Sequence, residues 1–293
     1  KMIVLESQLI NTMTQAQLAI EISRIKQFFC TLILVACIVS AVLTLSLAKL
    51  LRFRWLQLNY PLVFHRVICR LVGLQVVVKG EPISDVPTLF VSNHTTYMDI
   101  FVLGKLIPGA FVAKAEVAGW PIFGKLAGLQ NTLFLERRAV KAREQIGVVR
   151  KRLAEQGNLI MFPEGTSTSG DYVARFRSSL FAATEEVVIQ PVTVAYSHYR
   201  GERMSAEQRD YYAWYLPDPA NAPGVNNTPF VEHLVQGMGL GPARVEVIFH
   251  KPTRISEDFS RKACAEACEA VIRSGLENAL GIQQDDAELA SSP

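Results

Sequence analysis

A histidine and an aspartate five residues apart, within VSNHTTYMDI (residues 91–100), form the pair in this sequence best suited to acid–base chemistry. Imidazole has an ordinary pKa close to neutral pH, and a carboxylate that accepts its second N–H fixes the tautomer. Residues five apart on one helix point about 140° away from each other. His94 and Asp99 can therefore meet only if His94 lies in a turn before the helix that carries Asp99.

Asp99 also has a purely structural interpretation. Thr96 and Asp99 have the spacing of a helix-capping box, and a carboxylate in the first turn of a helix is favoured by the helix dipole. His94 follows a run that is typical of a buried strand, and α/β folds place ligand sites at the carboxyl ends of strands. The pair thus predicts either a general base or a helix N-terminus in which Asp99 has a structural role only.

Two other predicted strand ends carry side chains that suit a ligand. FLERR (134–138) contains Arg137, whose guanidinium suits bidentate binding of a phosphate. FPEGTSTSG (162–170) contains a Glu-Gly turn with backbone N–H groups and hydroxyls suited to an anion or a lipid headgroup. The six residues from Gly165 to Gly170 are one too many for a G-x-S-x-G serine nucleophile, so chemistry here requires a hydroxyl from the substrate.

Short β-branched runs alternate with helical periodicity from Leu74 onward, which predicts an α/β sheet covered by helices on both faces. Helical periodicity covers residues 97–106, 140–155 and 177–186. The predicted strands are LQVVVK (74–79), TLFVSN (88–93), AFVAK (110–114), NTLFLE (131–136), NLIMFP (158–163), VIQPVTVAY (188–196) and RVEVIFH (244–250).

The N-terminal region contains a candidate membrane anchor. The whole chain is 49% hydrophobic and 19% charged, with a mean hydropathy of +0.20, and no charged residue lies between Lys26 and Lys49. At about 1.5 Å of rise per residue, such a helix can cross about 30 Å of hydrocarbon. A cleavable signal peptide is the alternative, but the apolar run exceeds the usual length of its hydrophobic region, and basic residues follow at once.

Basic residues after this run, with Trp55 at headgroup level, favour a cytoplasmic face of the inner membrane and anionic lipid. A net charge of +3 gives no support for nucleic-acid binding. The basic segment from Arg137 to Arg152 predicts either a solvated helix face or a patch for anionic headgroups. Five cysteines without a C-x-x-C motif or histidine partners predict no metal site and a reducing compartment.

These features divide the chain into three parts. Residues 1–60 are predicted to form an amphipathic helix and the anchor, which a basic linker through Pro61 connects to the rest. Residues 61–282 form the main domain, and residues 283–293 form a polar tail.

Four blocks follow one another along the chain: NHTTYMD, FLER, FPEGTS and VIQPVTVAY. Their order and spacing resemble the glycerolipid and lysophospholipid acyltransferase family, of which bacterial 1-acyl-sn-glycerol-3-phosphate acyltransferases are typical. The resemblance covers about residues 74–250. It implies a mixed α/β sheet covered by helices, behind an N-terminal membrane-anchoring segment, and the chain from residue 61 to 282 is then the acyltransferase domain.

The resemblance also implies the chemistry. His94 is expected to deprotonate a hydroxyl of the acceptor lipid while Asp99 orients its ring, and the resulting alkoxide attacks an acyl thioester. Acyl-CoA or acyl carrier protein (ACP) is the expected donor and co-substrate, without a further cofactor or a metal. The partners are then the bilayer, a lysophospholipid and the donor.

Five further residues are expected, by the same resemblance, to bind substrate. Arg137 is expected to hold a phosphate of the acceptor, and Glu164, Gly165 and Thr166 to shape the acceptor site. Lys114 occupies a place where the family often has a lysine before the second block.

We expect 1-acyl-sn-glycerol 3-phosphate as the acceptor and phosphatidate as the product, although two positions depart from the family pattern. Glu136 stands where aspartate is frequent, and Ser167 stands where phosphatidate-forming members commonly have arginine. FPEGTS, followed by Gly170 and FRSSLF, is more similar to the lyso-ornithine lipid acyltransferase branch, which makes lyso-ornithine lipid the alternative acceptor. Arg175 and Arg177 could supply the missing charge. A non-catalytic lipid-binding module and a thioesterase are more distant alternatives.

Overall fold

The computed structural model describes residues 22–136, 142–183, 187–215, 228–254 and 260–282. Most of the predicted amphipathic helix, the polar tail and Arg137 lie outside the described residues.

Within the described ranges, nine strands form one mixed sheet, and each of the seven predicted strands is among them. This confirms the predicted fold class. The strands are β1 (Leu74–Lys79), β2 (Thr88–Ser92), β3 (Gly109–Lys114), β4 (Leu133–Leu135), β5 (Asn158–Met161), β6 (Val188–Tyr199), β7 (Glu202–Arg203), β8 (Ala243–Phe249) and β9 (Thr253–Arg254).

The sheet order is β1-β8-β6-β2-β5-β3-β4, and the short strands β7 and β9 pair with β6. Five neighbours, from β6 to β4, run parallel, whereas β8 is antiparallel to β6 and parallel to β1. The loops that follow β2, β3, β4 and β5 therefore emerge at one edge, which we call the carboxyl edge. β6 extends beyond the end of β2 at this edge, where its residues 193–199 lie past the last pair of Ser92 with Val192.

Eight α-helices lie among the described residues. They are α1 (Arg24–Leu50), α2 (Arg54–Val72), α3 (Met98–Gly104), α4 (Phe123–Leu129), α5 (Ala142–Gln156), α6 (Ala206–Asp210), α7 (Phe230–Gly237) and α8 (Arg261–Leu280). Short 3₁₀ helices cover Ala115–Gly119 and Ser178–Ala183.

The predicted basic linker is wrong, because only residues 51–53 separate α1 from α2. Pro61 lies inside α2, and the predicted domain boundary at residue 60 falls within this helix. The apolar face of α2 explains the difference: Phe64, Ile68 and Val72 repeat every four residues and are buried against the domain, and this packing outweighs the lost hydrogen bond of one proline.

The helices cover both faces of the sheet. On one face, Phe90, Ile160 and Val194 pack in a cluster with residues of α1, α2 and α3. On the other face, Leu89 and Leu159 pack with residues of α5 and α8. Burial on both faces explains why these strands are continuous apolar runs in the sequence.

α1 is long and apolar enough to cross a membrane, with a mean hydropathy of 2.7 over its most apolar window. Leu34, Ala41, Leu45 and Ala48 are buried and form one stripe along the helix. Its other sides expose large apolar side chains: Ile25, Phe28, Phe29, Leu32, Ile33, Val35, Val39, Leu43 and Leu47. α1 therefore presents a broad apolar surface that the described protein residues leave uncovered.

The close contact between α2 and α3 gives a test of the packing. A Cβ at Gly104 would lie 2.5 Å from the buried His65 ring, whereas a Cβ at Gly128 in α4 meets no described atom within 4 Å. We expect Gly104→Ala to lower the free energy of unfolding by about 1–3 kcal/mol. Gly128→Ala should be neutral or stabilising by up to about 1 kcal/mol, because alanine favours helix.

Thermal unfolding of both variants in the same detergent measures the difference. Equal melting temperatures for the two variants would contradict the packing of α2 against α3.

Candidate active site

The turn that follows β2 is held directly against β6. The side chain of Asn93 donates to the carbonyl of Val194 at 2.9 Å and accepts from its N–H at 2.8 Å. The amide thus continues the β2–β6 pairing, whose last backbone pair is Ser92 with Val192. His94 follows in the turn, and Asp99 lies in the first turn of α3. The structure therefore has the arrangement that the five-residue spacing requires.

The structure brings His94 and Asp99 together. His94 Nδ1 lies 2.9 Å from Asp99 Oδ2, and because an ionised carboxylate only accepts, Nδ1 carries the proton. The imidazole stacks on the ring of Phe162, with centroids 4.0 Å apart. Within the described chain, Nε2 makes no hydrogen bond, and the His94 side chain is 21% exposed whereas that of Asp99 is fully buried. This geometry leaves the basic nitrogen available to a substrate.

Asp99 accepts three further hydrogen bonds. Its Oδ2 accepts from the backbone N–H groups of Thr95 at 2.7 Å and Thr96 at 3.0 Å. Its Oδ1 accepts from the hydroxyl of Tyr196 at 3.0 Å. One of the two contacts of a capping box is therefore present, because the carboxylate accepts from Thr96 N. The second is missing, because the buried Thr96 hydroxyl has no partner among the described residues. The capping contact and the histidine contact coexist on one carboxylate.

Tyr196 is a residue that the sequence reasoning missed. It lies 97 residues from Asp99 and appears in the sequence only as the end of an apolar run. No local spacing links the two residues, so only the strand order could have indicated the contact.

Glu164 supports the same turn from the other side. Its Oε1 accepts from the backbone N–H of His94 at 2.6 Å, and its Oε2 accepts from the N–H of Ala174 at 2.7 Å. The side chain is 3% exposed. Burial raises the pKa of Glu164 to about 8, although the N–H groups of Ala174 and His94 oppose this shift. Glu164 therefore contacts the backbone of the histidine turn, and both of its oxygens are occupied.

The segment after Glu164 runs along the histidine turn. Gly165 has φ of 72°, a left-handed conformation that favours glycine, and its N–H donates to Phe162 O at 3.1 Å. Thr166 is exposed. Thr168 N donates to His94 O at 2.9 Å, and Gly170 packs so closely on Thr95 that an added Cβ would lie 2.8 Å from it. Among the predicted acceptor residues here, Thr166 is the one most open to solvent.

Lys114 ends β3 at the carboxyl edge and is half-buried. The order β2-β5-β3 separates it from His94 by one strand. β4 ends at Leu135, and the described part of this loop stops at Glu136, before Arg137.

A group of aromatic rings lies beside the turn on the side of α1. Trp214 N donates to Thr95 O at 3.1 Å, and the Trp214 ring lies 6.2 Å from that of Tyr97 and 5.2 Å from that of Phe230. Trp120 lies 5.2 Å from Phe230. Trp120, Trp214 and Phe230 are partly exposed and give the site an apolar side. No cluster of three His, Cys, Asp or Glu suited to a metal occurs in the described ranges.

The raised pKa of Glu164 predicts a pH dependence of stability. A carboxyl whose pKa is about 8 when folded and about 4.3 when unfolded binds a proton in the folded state only, so stability falls as pH rises through this window. Glu164→Gln removes this titration. Melting temperatures measured between pH 5 and 9 should therefore fall more steeply for the wild type than for Glu164→Gln.

Glu266→Gln, at an exposed position of α8, is the matched control and should follow the wild type. Parallel curves for wild type and Glu164→Gln would show that Glu164 does not titrate in this range.

Comparison with known proteins identifies the family. The family model described as Acyltransferase matches residues 75–197. The lyso-ornithine lipid O-acyltransferase of Brucella abortus (strain 2308) is 34% identical over 261 residues, which are 83% of this chain and 94% of that protein. The 1-acyl-sn-glycerol-3-phosphate acyltransferase of Neisseria gonorrhoeae is 30% identical over 131 residues, or 44% of this chain and 50% of that protein.

A solved structure has the same fold. The crystal structure of the 1-acyl-sn-glycerophosphate acyltransferase from Thermotoga maritima matches with a TM-score of 0.53 and 18% identity, over 89% of this chain and 99% of that chain. The resemblance found in the four sequence blocks is confirmed by a relative that is matched over nearly its whole length, and this chain therefore belongs to the acyltransferase family.

Proposed function

We propose that this O-acyltransferase transfers a fatty acyl group from acyl-ACP or acyl-CoA to the free hydroxyl of lyso-ornithine lipid. The observation that carries the reaction is the His94–Asp99 contact of 2.9 Å, together with the partial exposure of the His94 side chain. The pair supplies a base of fixed tautomer and no nucleophile of its own, so the attacking hydroxyl comes from the acceptor.

The sequence alone favours lysophosphatidate as the acceptor. Two observations instead support lyso-ornithine lipid. The lyso-ornithine lipid O-acyltransferase of Brucella abortus aligns with 83% of this chain, against 44% for the 1-acyl-sn-glycerol-3-phosphate acyltransferase of Neisseria gonorrhoeae. Ser167 stands where phosphatidate-forming enzymes commonly have arginine, and its hydroxyl donates to Trp214 O at 2.5 Å. This position therefore holds the loop together and offers no cation to a phosphate.

The proposed reaction proceeds in two steps. His94 Nε2 takes the proton of the acceptor hydroxyl, and the oxygen attacks the carbonyl carbon of the thioester. The C–S bond then breaks, and the leaving thiolate takes the proton back from the imidazolium. Asp99 stays ionised throughout and stabilises the positive charge of the imidazolium. The partly exposed aromatic rings beside the turn suit the acyl chains of both lipids.

We further propose that α1 lies in one leaflet of the inner membrane, on its cytoplasmic face. At its N-terminal end, Ser23 N donates to Gly239 O at 3.0 Å, and Lys26 Nζ donates to Val72 O at 3.0 Å. At its C-terminal end, Lys49 Nζ donates to Gly128 O at 2.7 Å. Because both ends bind the same domain, α1 cannot place them on opposite sides of a bilayer while that domain stays on one side.

The activity test uses acyl-ACP and acyl-CoA with lyso-ornithine lipid, lysophosphatidate and lysophosphatidylcholine, and follows diacyl product by mass spectrometry. We expect product from lyso-ornithine lipid, and a loss of about 10²–10⁴-fold in kcat for His94→Ala because the general base is removed. His198→Ala, a change of the same type on β6 outside the turn, should keep wild-type kcat.

The other outcomes are distinct. Product from lysophosphatidate alone would show that lysophosphatidate is the acceptor, as the sequence predicts. Acyl release without any acceptor would indicate a thioesterase, and the absence of product that depends on His94 would indicate a lipid-binding protein.

The orientation of α1 is tested by single cysteines at the exposed residues Arg24 and Arg52, which flank the helix. Labelling by a membrane-impermeant maleimide should occur for both Arg24→Cys and Arg52→Cys in inside-out membrane vesicles, and for neither in intact spheroplasts. The unsubstituted protein reports labelling of its native cysteines. Labelling of the two sites from opposite sides would establish a membrane span.

A further inference from the structure

Among the described residues, the hydroxyl of Tyr196 is the one hydrogen-bond donor to Asp99 that comes from outside the β2–α3 turn. The other three donors, His94 Nδ1 and the N–H groups of Thr95 and Thr96, all bind Oδ2. Tyr196 binds Oδ1 at 3.0 Å, and no other described residue makes a hydrogen bond to this oxygen. Tyr196 is 1% exposed, so water does not compete for the bond.

We propose that Tyr196 is a positioning residue of this acyltransferase, which fixes the orientation of Asp99 and thereby that of the His94 imidazole. The proposal rests on the function proposed above. The acid–base unit then consists of His94, Asp99 and Tyr196. Tyr196 contacts Asp99 and does not contact the substrate.

Regular alternation along β6 places Tyr196 on the face that packs against α3, together with Val192 and Val194. β6 pairs with β8 residue by residue up to Tyr196–Val245, and the next pair is His198–Arg244, so Ser197 is an extra residue in β6. Such a bulge bends a strand and turns the side chains that follow. The bulge therefore places Tyr199 on the α1–α3 face beside Tyr196, where strict alternation would have placed His198.

The neighbouring ring holds Tyr196 in place. Tyr212 stacks on Tyr196 with centroids 5.9 Å apart, is also fully buried, and donates its own hydroxyl to Gly241 O at 2.8 Å. Tyr212 has the same chemistry and burial as Tyr196 but bonds a carbonyl instead of Asp99. The chain therefore contains a matched control for removing one buried tyrosine hydroxyl.

The bond to Tyr196 also influences how strongly Asp99 attracts a proton on His94. A carboxylate that shares its charge with fewer donors is a stronger acceptor for those that remain. Loss of the Tyr196 hydroxyl therefore favours the imidazolium form of His94. A stronger donor at residue 196 has the opposite effect.

Other titratable groups face this unit from each neighbouring element. They are Tyr97 at the start of α3, Glu164 after β5, and Cys69 on α2, whose thiol lies near enough to Tyr196 to influence its pKa. All three side chains are present in every variant with a change at residue 196 or 212, so any part of the pH profile that they cause is expected in each of them.

The experiment compares pH profiles of kcat and kcat/KM for wild type, Tyr196→Phe and Tyr212→Phe, with the acceptor that the wild type converts. For Tyr196→Phe we expect kcat to fall about tenfold with KM nearly unchanged, and the acid limb to move up by about half a pH unit or more. Tyr212→Phe should lose about as much stability as Tyr196→Phe, while the acid limb of its pH profile stays at the wild-type pH.

A second variant keeps the shape of the side chain and guards against misfolding. Tyr196→3-fluorotyrosine has a more acidic phenol, which is a stronger donor to Asp99, so its acid limb should move down. Opposite shifts for the two Tyr196 variants are expected from positioning through Asp99.

Three results separate the possible failures. An inactive wild type refutes the proposed function itself. An active wild type with unshifted acid limbs in both Tyr196 variants refutes the role of Tyr196. Equal shifts in Tyr196→Phe and Tyr212→Phe would assign the effect to general packing and would also overturn the proposal.

Discussion

The buried charge of Asp99 is the constraint on which the rest of the site depends. A carboxylate that is fully shielded from water is stable only when donors replace its hydration, and Asp99 has four. Two come from the backbone of the turn, one from the imidazole and one from β6. Satisfying this single charge therefore requires the helix start, the turn and a neighbouring strand to occupy their present positions together.

The turn itself has little freedom, because each side of it is bonded to a different segment. Asn93 joins it to β6, Glu164 accepts the N–H of His94, and Thr168 donates to the carbonyl of His94. Trp214 N binds the carbonyl of Thr95. A side chain that is fixed in this way loses little freedom when a substrate binds, which is the advantage of a preorganised site for the base proposed here.

The sequence predicted the sheet and the histidine–aspartate contact because both depend on short-range patterns. Apolar runs identify strands that are buried on both faces, and a five-residue spacing across a turn is local. Glu164 and Tyr196 lie 70 and 97 residues from the groups that they bind, so their contacts depend on the strand order, which no local periodicity reveals. The basic residues before Pro61 predict a linker, whereas tertiary packing of the apolar face of α2 makes this segment a helix.

The apolar helix and the chemical site share one hydrophobic cluster, which contains Leu34 of α1 together with Val194 and Tyr196 of β6. Close packing of such a cluster transmits displacement, since interiors have few voids in which a shift could be absorbed. The proposed membrane surface and the proposed base are thus connected through one packed cluster. A lysolipid held in the leaflet beside α1 would then meet His94 at a depth that this packing sets.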